Sequence, residues 1–333
     1  MTCIKIYRLL YLKVYSTTMQ RKTIISDWTK FVVLGAFCWG TSYYWIKIAI
    51  AEIGPLTLVA LRITLASIVC WLWMLISKTS VRLSKNIVGR MTILGITNTA
   101  IPFSLISWGE TRIDSGLTGL LTATVPLFTI LLSHRFLKDD KITVPKAFGL
   151  LLGFSGVALL LSRDLNLGQI QLDLWGQAAV IGATFCYSIS SVYNRRFLQN
   201  QHPMIVTTYA LSTATIIIWI LTFFLEAPVT FPSIPITWFA IIWLGLIGTT
   251  LAYPLMFGLI HSWGPTRATL VTYLIPVTAV GLGVLALDEV LDWIIVVGGM
   301  LVISGVATVN WRAWLPTLWQ IFASKKDYPF VAK

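Results

Sequence analysis

The sequence contains a succession of long apolar segments separated by short polar connections. Runs such as 31–46 and 293–309 approach the roughly 20 residues that an α-helix needs to cross the hydrocarbon core of a bilayer. Only 11% of the 333 residues are charged, whereas a soluble domain carries roughly 25% charged residues. So few charges cannot cover a water-facing surface. The sequence therefore predicts a protein whose main solvent is lipid.

Hydropathy divides the chain into ten predicted helices. These segments are continuously apolar and do not alternate every second residue, which is typical of membrane helices and not of barrel strands. The predicted fold class is an all-α integral membrane protein, a multi-pass protein of the cell membrane with ten transmembrane helices. The predicted helices are 31–50, 55–77, 91–109, 115–136, 144–161, 174–193, 204–225, 237–260, 267–287 and 292–311.

The net charge of +12 comes from lysines and arginines that lie mostly in alternate connections. Cytoplasmic loops carry an excess of these residues, so we expect both termini in the cytoplasm. Because the basic residues sit between apolar segments, the charge indicates contact with membrane lipids and not with nucleic acid. The predicted cytoplasmic tails are 1–30, with Met1 or Met19 as the start, and 312–333.

The two halves of the chain resemble each other at an offset of 148–150 residues. The offset places Pro55 over Pro203 and Asp139 over Glu289. Each half holds five predicted helices, an odd number, so the second half must enter the membrane from the opposite side. The halves are therefore predicted to be inverted repeats. Their predicted bounds are 31–162 and 172–311.

Several short motifs resemble one family of membrane carriers. They are Trp39-Gly40-Thr41-Ser42 and Lys47 in the first predicted helix, Pro55-Leu56 and Ala60-Leu61-Arg62 in the second, and Pro126 and Pro276 in the fourth and ninth. With these motifs the chain resembles the drug/metabolite transporter superfamily, specifically EamA-type permeases with two five-helix repeats. The resemblance implies a small-molecule substrate and a central cavity. It implies that helices 1, 3, 4, 6, 8 and 9 line the cavity, which opens alternately to either side.

One face of the first predicted helix carries Trp39, Tyr43 and Lys47 at intervals of four residues, which stacks them on one side. Polar side chains in a membrane bundle avoid lipid, so this face is a candidate substrate-binding surface. The alternative is that the aromatic residues form interfacial belts and that Lys47 extends to the lipid head groups. The matching positions in the sixth predicted helix are Tyr187, Ser191 and Arg195.

Polar residues and prolines also occur deep within other predicted helices. The polar side chains either face the cavity or hydrogen-bond a neighbouring helix, a contact worth about 0.6 kcal/mol on average. The prolines break backbone hydrogen bonding and act either as flexing points for gating or as static kinks. The polar candidates are Asn98, Thr99, Thr249 and Tyr253, and the prolines are Pro126 and Pro276.

Arg62 lies within the second predicted helix with no acidic residue near it in sequence. Burying its charge without a partner would be expensive, so some group must pair with it. The candidates are Glu52, Glu110, a substrate carboxylate and a lipid phosphate. We favour a structural ion pair.

The residues that are absent from the predicted helices narrow the function. None of the ten contains Asp or Glu away from its ends, whereas carriers of cationic drugs commonly use a deep carboxylate. The basic residues favour an anionic or zwitterionic solute, and we expect export of an amino acid or a related carboxylate-bearing metabolite. The alternatives are a carrier of drugs or of lipid-linked metabolites, and a membrane enzyme or sensor that transports nothing.

An enzyme would need catalytic or nucleotide-binding motifs, and the sequence contains no HExxH, no GxSxG and no GxxxxGK[ST]. We therefore expect no catalytic residues, no cofactor and no metal site. A homodimer is left open.

The inverted arrangement predicts that Lys85 and Asp288 lie on opposite sides of the membrane. Single cysteines at the two positions, in a chain without its four native cysteines, should react with a membrane-impermeant thiol reagent from opposite faces. Labelling of both positions from one face would contradict the inverted arrangement.

Overall fold

The computed structural model describes residues 27–78, 83–138, 141–162, 170–305 and 307–308, and all regular secondary structure in these residues is helical. Ten helical segments follow one another, and the first, α1, is in two pieces. The segments are α1 (Val33–Trp39 and Ser42–Ile50), α2 (Pro55–Ile76), α3 (Lys85–Gly109), α4 (Ser115–Phe136), α5 (Val144–Ser162), α6 (Ile170–Phe197), α7 (Pro203–Leu225), α8 (Pro235–Trp263), α9 (Pro265–Ala286) and α10 (Trp293–Gly305).

Seven of these helices, within the described residues, are long and apolar enough to cross a membrane. They are α2 to α5 and α7 to α9, and α10 is a shorter apolar helix. The all-helical fold class is therefore confirmed. The number of ten membrane-crossing helices and the cytoplasmic position of the termini stay predictions. Most of the two tails, and Asp139, lie outside the described residues.

The helices alternate in direction between two ends of the bundle. Gly109, at the end of α3, packs against Gly176 near the start of α6. At the other end of these helices, the Arg90 guanidinium of α3 donates to the carbonyl oxygen of Phe197 at 3.4 Å. The helices α3 and α6 are therefore antiparallel. We call the end that carries Gly109 the acidic end and the end that carries Arg90 the basic end.

The first helices of the two halves run in opposite directions. Lys47, near the end of α1, donates from its ammonium group to the carbonyl oxygen of Glu110 at 2.8 Å, which places this end of α1 at the acidic end. The helix α6 begins at the acidic end and finishes at the basic end, where Arg195 donates to the carbonyl oxygen of His261 at 3.2 Å. This geometry agrees with two inverted halves.

The helices are also interrupted at matching positions in the two halves. A π-helical turn, Ile96–Ala100, interrupts α3, and a second one, Leu246–Leu251, interrupts α8 about 150 residues later. In α4 the chain turns at Ala123 and Thr124, and in α9 the segment Thr269–Tyr273 is a 3₁₀-helix. Short π-helical and 3₁₀ stretches within α-helices often occur at functional sites or hinges.

Small residues allow the helices to pack closely without a hydrophobic driving force, as expected in lipid. A Cβ atom at Gly156 of α5 would lie 2.7 Å from the carbonyl oxygen of Gly298 in α10, so α5 and α10 approach along their backbones. Extensive interhelix contacts join α2 with α7, α3 with α6, α4 with α9, and α4 with α6. Each of these pairs combines one helix from each half, so the two halves interlock.

Carboxylates at the acidic end cap the first turns of helices that begin there. Glu289 accepts hydrogen bonds from the backbone N–H of Ser115 at 2.7 Å, from its hydroxyl at 2.6 Å and from the N–H of Gly116 at 2.9 Å. The N–H groups of a first helical turn have no partner within the helix, and the positive end of the helix dipole attracts an anion.

Two further carboxylates bind the starts of helices at the same end. Glu226 accepts hydrogen bonds from the backbone N–H groups of Leu56 and Thr57 in α2. Glu52 accepts hydrogen bonds from the backbone N–H groups of Ser233 and Ile234, directly before α8.

Replacing Glu289 by Gln should weaken the connection between α9 and α4. We expect the free energy of unfolding to fall by about 1–2 kcal/mol, because a charge-assisted bond becomes a neutral one. The control is Asp288→Asn, the same chemical change at the exposed neighbouring residue. Its free energy of unfolding should differ from that of the wild type by no more than about 0.5 kcal/mol. Thermal unfolding in detergent measures both, and equal effects would contradict a capping role for Glu289.

Candidate functional site

A cavity lies in the centre of the bundle. Its volume, measured as the space open to the centre of a water molecule, is about 60 Å³. By the same measure one water molecule needs roughly 10–15 Å³. All six helices implied by the family resemblance line the cavity, together with Arg62 of α2. The lining residues are Trp39, Ser42, Tyr43, Ile46, Arg62, Asn98, Phe103, Ile106, Thr122, Val125, Tyr187, Ser191, Tyr253, Met256, Phe257, Thr272 and Ile275.

The cavity wall is built twice, once from each half. Four residues of α3 and α4 line one side, and the residues exactly 150 positions later in α8 and α9 line the other. The pairs are Phe103 with Tyr253, Ile106 with Met256, Thr122 with Thr272, and Val125 with Ile275. The charge of the wall is not duplicated, because the position 148 residues after Arg62 is Ala210, which is buried beside Gly95.

Six of the nine substrate-binding candidates from the sequence line the cavity. They are Trp39, Tyr43, Asn98, Tyr187, Ser191 and Tyr253. Their polar groups also join the halves across the cavity wall. The indole N–H of Trp39 donates to the carbonyl oxygen of Gly248 at 3.2 Å, and the Tyr253 hydroxyl donates to that of Asn98 at 2.8 Å. Both carbonyl groups lie in the π-helical turns, where the regular helix hydrogen bonding is disturbed.

The other three candidates lie outside the wall. Lys47 points to the acidic end, where its ammonium group also donates to the carbonyl oxygen of Ile113 at 2.9 Å. Thr99 is fully buried, with its hydroxyl 3.1 Å from the Tyr253 hydroxyl. Thr249 is fully buried too, and its hydroxyl accepts a hydrogen bond from Arg62. These two threonines hydrogen-bond residues that line the cavity, Thr99 with Tyr253 and Thr249 with Arg62.

The sequence analysis missed the apolar part of the wall, including Ile106, Val125 and Met256, and it did not select the polar lining residues Ser42, Thr122 and Thr272. An apolar residue in a membrane helix can face lipid, another helix or a cavity, and hydropathy does not separate these cases. The repeat offset was the available signal, because it pairs Phe103 with the candidate Tyr253. If the residue that the offset pairs with each polar candidate is also taken as a candidate, Phe103 is identified.

Arg62 is buried, 3% exposed, and faces the cavity. Its guanidinium carbon lies 4.0 Å from the centre of the Phe103 ring, and its Nη2 donates to the Thr249 hydroxyl at 3.2 Å. Its Nε atom is buried and has no hydrogen-bond acceptor in the described part of the chain.

The predicted structural ion pair of Arg62 is not present among the described residues. No carboxylate there lies within 4.0 Å of the guanidinium. Of the two acids considered, Glu52 is bound to Ser233 at the acidic end. Glu110 also lies at that end, directly after α3. The cavity therefore holds one cation that no anion of the described residues neutralises.

Pro126 and Pro276 are buried directly after the interruptions in α4 and α9. Proline has no N–H, so neither can bond the carbonyl group four residues earlier. Those carbonyls belong to Thr122 and Thr272, which both line the cavity. The predicted kink positions thus coincide with the cavity wall.

A central cavity lined by interrupted helices from both halves of the chain is typical of secondary membrane transporters. Comparison with known families gives the particular family. The chain belongs to the EamA-like transporter family, whose model matches residues 28–162 and again 174–311, once in each half. The family resemblance in the sequence is thereby confirmed.

Relatives from bacteria and archaea carry names of the same kind. The chain is 25% identical over 273 residues to the uncharacterized transporter YoaV of Bacillus subtilis, covering 80% of this chain and 91% of that protein. It is 25% identical over 247 residues to the uncharacterized inner membrane transporter YedA of Escherichia coli, covering 74% and 78%. A solved crystal structure matches with a TM-score of 0.65 at 19% identity, covering 88% of this chain and 98% of that one, which shows a shared fold.

Replacing Tyr253 by Phe should loosen the contact between α8 and α3, because the hydroxyl that bonds Asn98 and Thr99 is lost. We expect the free energy of unfolding to fall by about 0.6–1.7 kcal/mol, the range for such bonds in membrane proteins. Tyr209→Phe in α7 is the matched control, since its ring is half-buried against Trp71. Denaturation in detergent compares the two, and a larger effect at Tyr209 would contradict the bridging role of Tyr253.

Proposed function

We propose that the protein exports an amino acid or a related small carboxylate-bearing metabolite across the cell membrane by alternating access. The observation that carries this proposal is the cation Arg62, which faces the cavity without an anionic partner among the described residues. The name of the relative YedA, an inner membrane transporter, supports the location.

The environment of Arg62 favours an anionic ligand. A buried charge is expensive unless an opposite charge and hydrogen bonds accompany it. The guanidinium group presents a rigid fork of N–H donors that matches a carboxylate with two hydrogen bonds. With its Nε unbonded, Arg62 retains a donor for such a ligand. A carboxylate entering the cavity would supply the missing counter-charge.

The rest of the wall suits the other parts of an amino acid. Aromatic rings of Trp39, Tyr43, Tyr187 and Phe103 surround the cavity and would contact an apolar side chain. Hydroxyl and amide groups of the wall can accept hydrogen bonds from an ammonium group. These acceptors include Asn98, Thr122, Ser191 and Thr272.

The interrupted helices support movement around the cavity. Pro126 and Pro276 leave the carbonyls of Thr122 and Thr272 without their regular helical donors, so α4 and α9 can bend there at low cost. Bending of these two related helices in alternation would open one end of the cavity and then the other. We propose these prolines as the gating positions.

Transport can be measured with purified protein in liposomes. The test uses labelled amino acids and other small carboxylates, each beside the amine that lacks the carboxyl group. We expect uptake of a carboxylate solute to saturate and its amine analogue to be transported at least tenfold less well. Better transport of the amines would contradict the proposal and favour a carrier of cationic drugs. Loaded cells that release the solute faster when they express the protein would support export.

Arg62→Met should abolish this preference, because it removes the counter-charge and keeps much of the volume. We expect the apparent affinity for the carboxylate solute to fall about ten- to hundredfold, which corresponds to a lost charged hydrogen bond of about 1.5–3 kcal/mol. The control is Arg90→Met, since Arg90 lies at the basic end beside Phe197 and not at the cavity. Unchanged affinity in Arg62→Met would contradict the role of Arg62.

A further inference from the structure

One buried carboxyl group has no role in the cavity described above. Glu110 directly follows α3 at the acidic end, and its side chain is 0% exposed. Neither of its carboxylate oxygens has a hydrogen-bond partner among the described residues. The sequence analysis placed this residue in a connection at the membrane surface, whereas the structure encloses it between helices. Buried polar groups are nearly always hydrogen-bonded, so an unbonded pair of oxygens needs an explanation.

At three other acids of the same end, at least one carboxylate oxygen is hydrogen-bonded, whereas both oxygens of Glu110 lack a partner among the described residues. Glu52, Glu226 and Glu289 each accept hydrogen bonds from the start of another helix. Hydrogen bonds from the hydroxyls of Thr237 and Ser233, together with backbone N–H groups, lower the pKa of Glu52 to about 2. These acids act as structural anions. Glu110 is buried among them without the donors that a carboxylate requires.

The charged and titratable groups around Glu110 come from several elements. Lys47 of α1 lies beside it, yet the Lys47 ammonium group donates to the carbonyls of Glu110 and Ile113 and not to the Glu110 carboxylate. Among the described side chains, the others that interact with it electrostatically are Tyr43, Arg62 and Glu289. The segment between α3 and α4, which contains Glu110, also carries Arg112 and Asp114. The guanidinium carbon of Arg112 lies 3.6 Å from the centre of the Trp108 ring.

Glu110 lies at the acidic end, directly after a helix that lines the cavity. Phe103 and Ile106 line the cavity, and Glu110 follows at the spacing that continues the same helical face. Lys47 connects the end of α1 to the segment between α3 and α4, and Glu110 is part of that segment. These bonds fix the end of α1 to the segment between α3 and α4. A change of charge at Glu110 would act directly on that connection.

We propose that Glu110 is a proton-binding site that controls the opening of the acidic end of the cavity. With the proton bound, the neutral carboxyl group stays buried and Lys47 keeps its bonds to the two carbonyls. When the O–H bond breaks, the proton passes to water, and the carboxylate left behind attracts the Lys47 ammonium group away from the carbonyls. The segment between α3 and α4 is then released, and this end opens.

The electrostatics agree with this geometry. Burial raises the pKa of the Glu110 carboxyl well above its ordinary value, and the charge of Glu289 raises it further, whereas Lys47 and Arg62 lower it. A carboxyl removed from water favours its neutral form unless donors compensate it. Within this proposal, which rests on the proposed transport function, solute movement would be coupled to the movement of a proton.

The proton itself can be detected without any solute. Infrared spectroscopy of the purified full chain should show the absorption of a protonated carboxyl group near neutral pH. The band should disappear in Glu110→Gln and remain in Glu52→Gln, because Glu52 is already ionised in this range. Absence of a band that depends on Glu110 would overturn the proposal.

The stability of the protein should report the same site with a defined sign. Between the ordinary and the raised pKa, the folded protein keeps a proton that the unfolded chain has lost, so the stability falls as the pH rises through that window. We expect the unfolding temperature of the wild type to fall more steeply with pH than that of Glu110→Gln. The wild type and Glu110→Gln should converge at a pH well below the ordinary glutamate pKa of about 4.3, where the wild-type carboxyl is protonated in both the folded and the unfolded state. Identical pH profiles would overturn the proposal.

The gating step can be followed with a cysteine at Ile46, a cavity residue beside Lys47, in a chain without native cysteines. An impermeant thiol reagent is applied to intact cells and, separately, to inside-out vesicles. From the side that carries Glu110, labelling should increase at least severalfold as the pH rises. Glu110→Gln should stay poorly labelled, and Glu52→Gln should follow the wild type, which corrects for the intrinsic pH dependence of the thiol. Equal pH dependence in all three would overturn the proposal.

These measurements separate the two proposals. A Glu110-dependent infrared band and gating response, together with no transport of any carboxylate solute, would leave the proton site standing and overturn the proposed substrate class. Transport of a carboxylate solute without the band or the gating response would support the proposed substrate class and overturn the proton site.

Discussion

The structure depends on one constraint, which is that lipid cannot hydrogen-bond a polypeptide backbone. Every N–H and C=O group within the bilayer must find a partner in the protein, so the described chain is helical throughout its regular structure. Irregular backbone is tolerated at this depth only where protein or a cavity surrounds it. The π-helical turns of α3 and α8 and the interruptions of α4 and α9 occur at such places. The cavity therefore lies where the helices depart from regularity.

The two halves provide the same wall twice, and their differences give the cavity its chemistry. Aromatic, aliphatic and hydroxyl side chains recur at matching positions, so shape and polarity are nearly symmetric. Arg62 breaks this symmetry, because its counterpart is the small apolar residue Ala210. A symmetric scaffold suits a cavity that opens to both sides, and in our proposal Arg62 gives the cavity a preference for carboxylate-bearing solutes.

The acidic end shows how carboxylates divide their roles according to their surroundings. Where N–H groups at a helix start are available, a carboxylate is stabilised and joins two helices, as Glu289 does. Where burial removes water and offers no donors, as at Glu110, the neutral form is favoured. Both kinds occur within the same end of the bundle. The same residue type thus holds some helices together and, in our proposal, allows another contact to open.

The sequence by itself determined the helical class, the approximate bounds of the helices, the internal repeat and the family, because hydropathy and residue spacing are local properties. It also found most of the polar cavity residues, since polar side chains deep in a membrane helix have few places to go. Only the tertiary structure decided that Lys47 bonds two carbonyls, that Arg62 faces the cavity without a carboxylate beside it among the described residues, and that Glu110 is enclosed. These facts depend on which residues of distant helices approach one another, and distances between helices are not encoded in the pattern of any single segment.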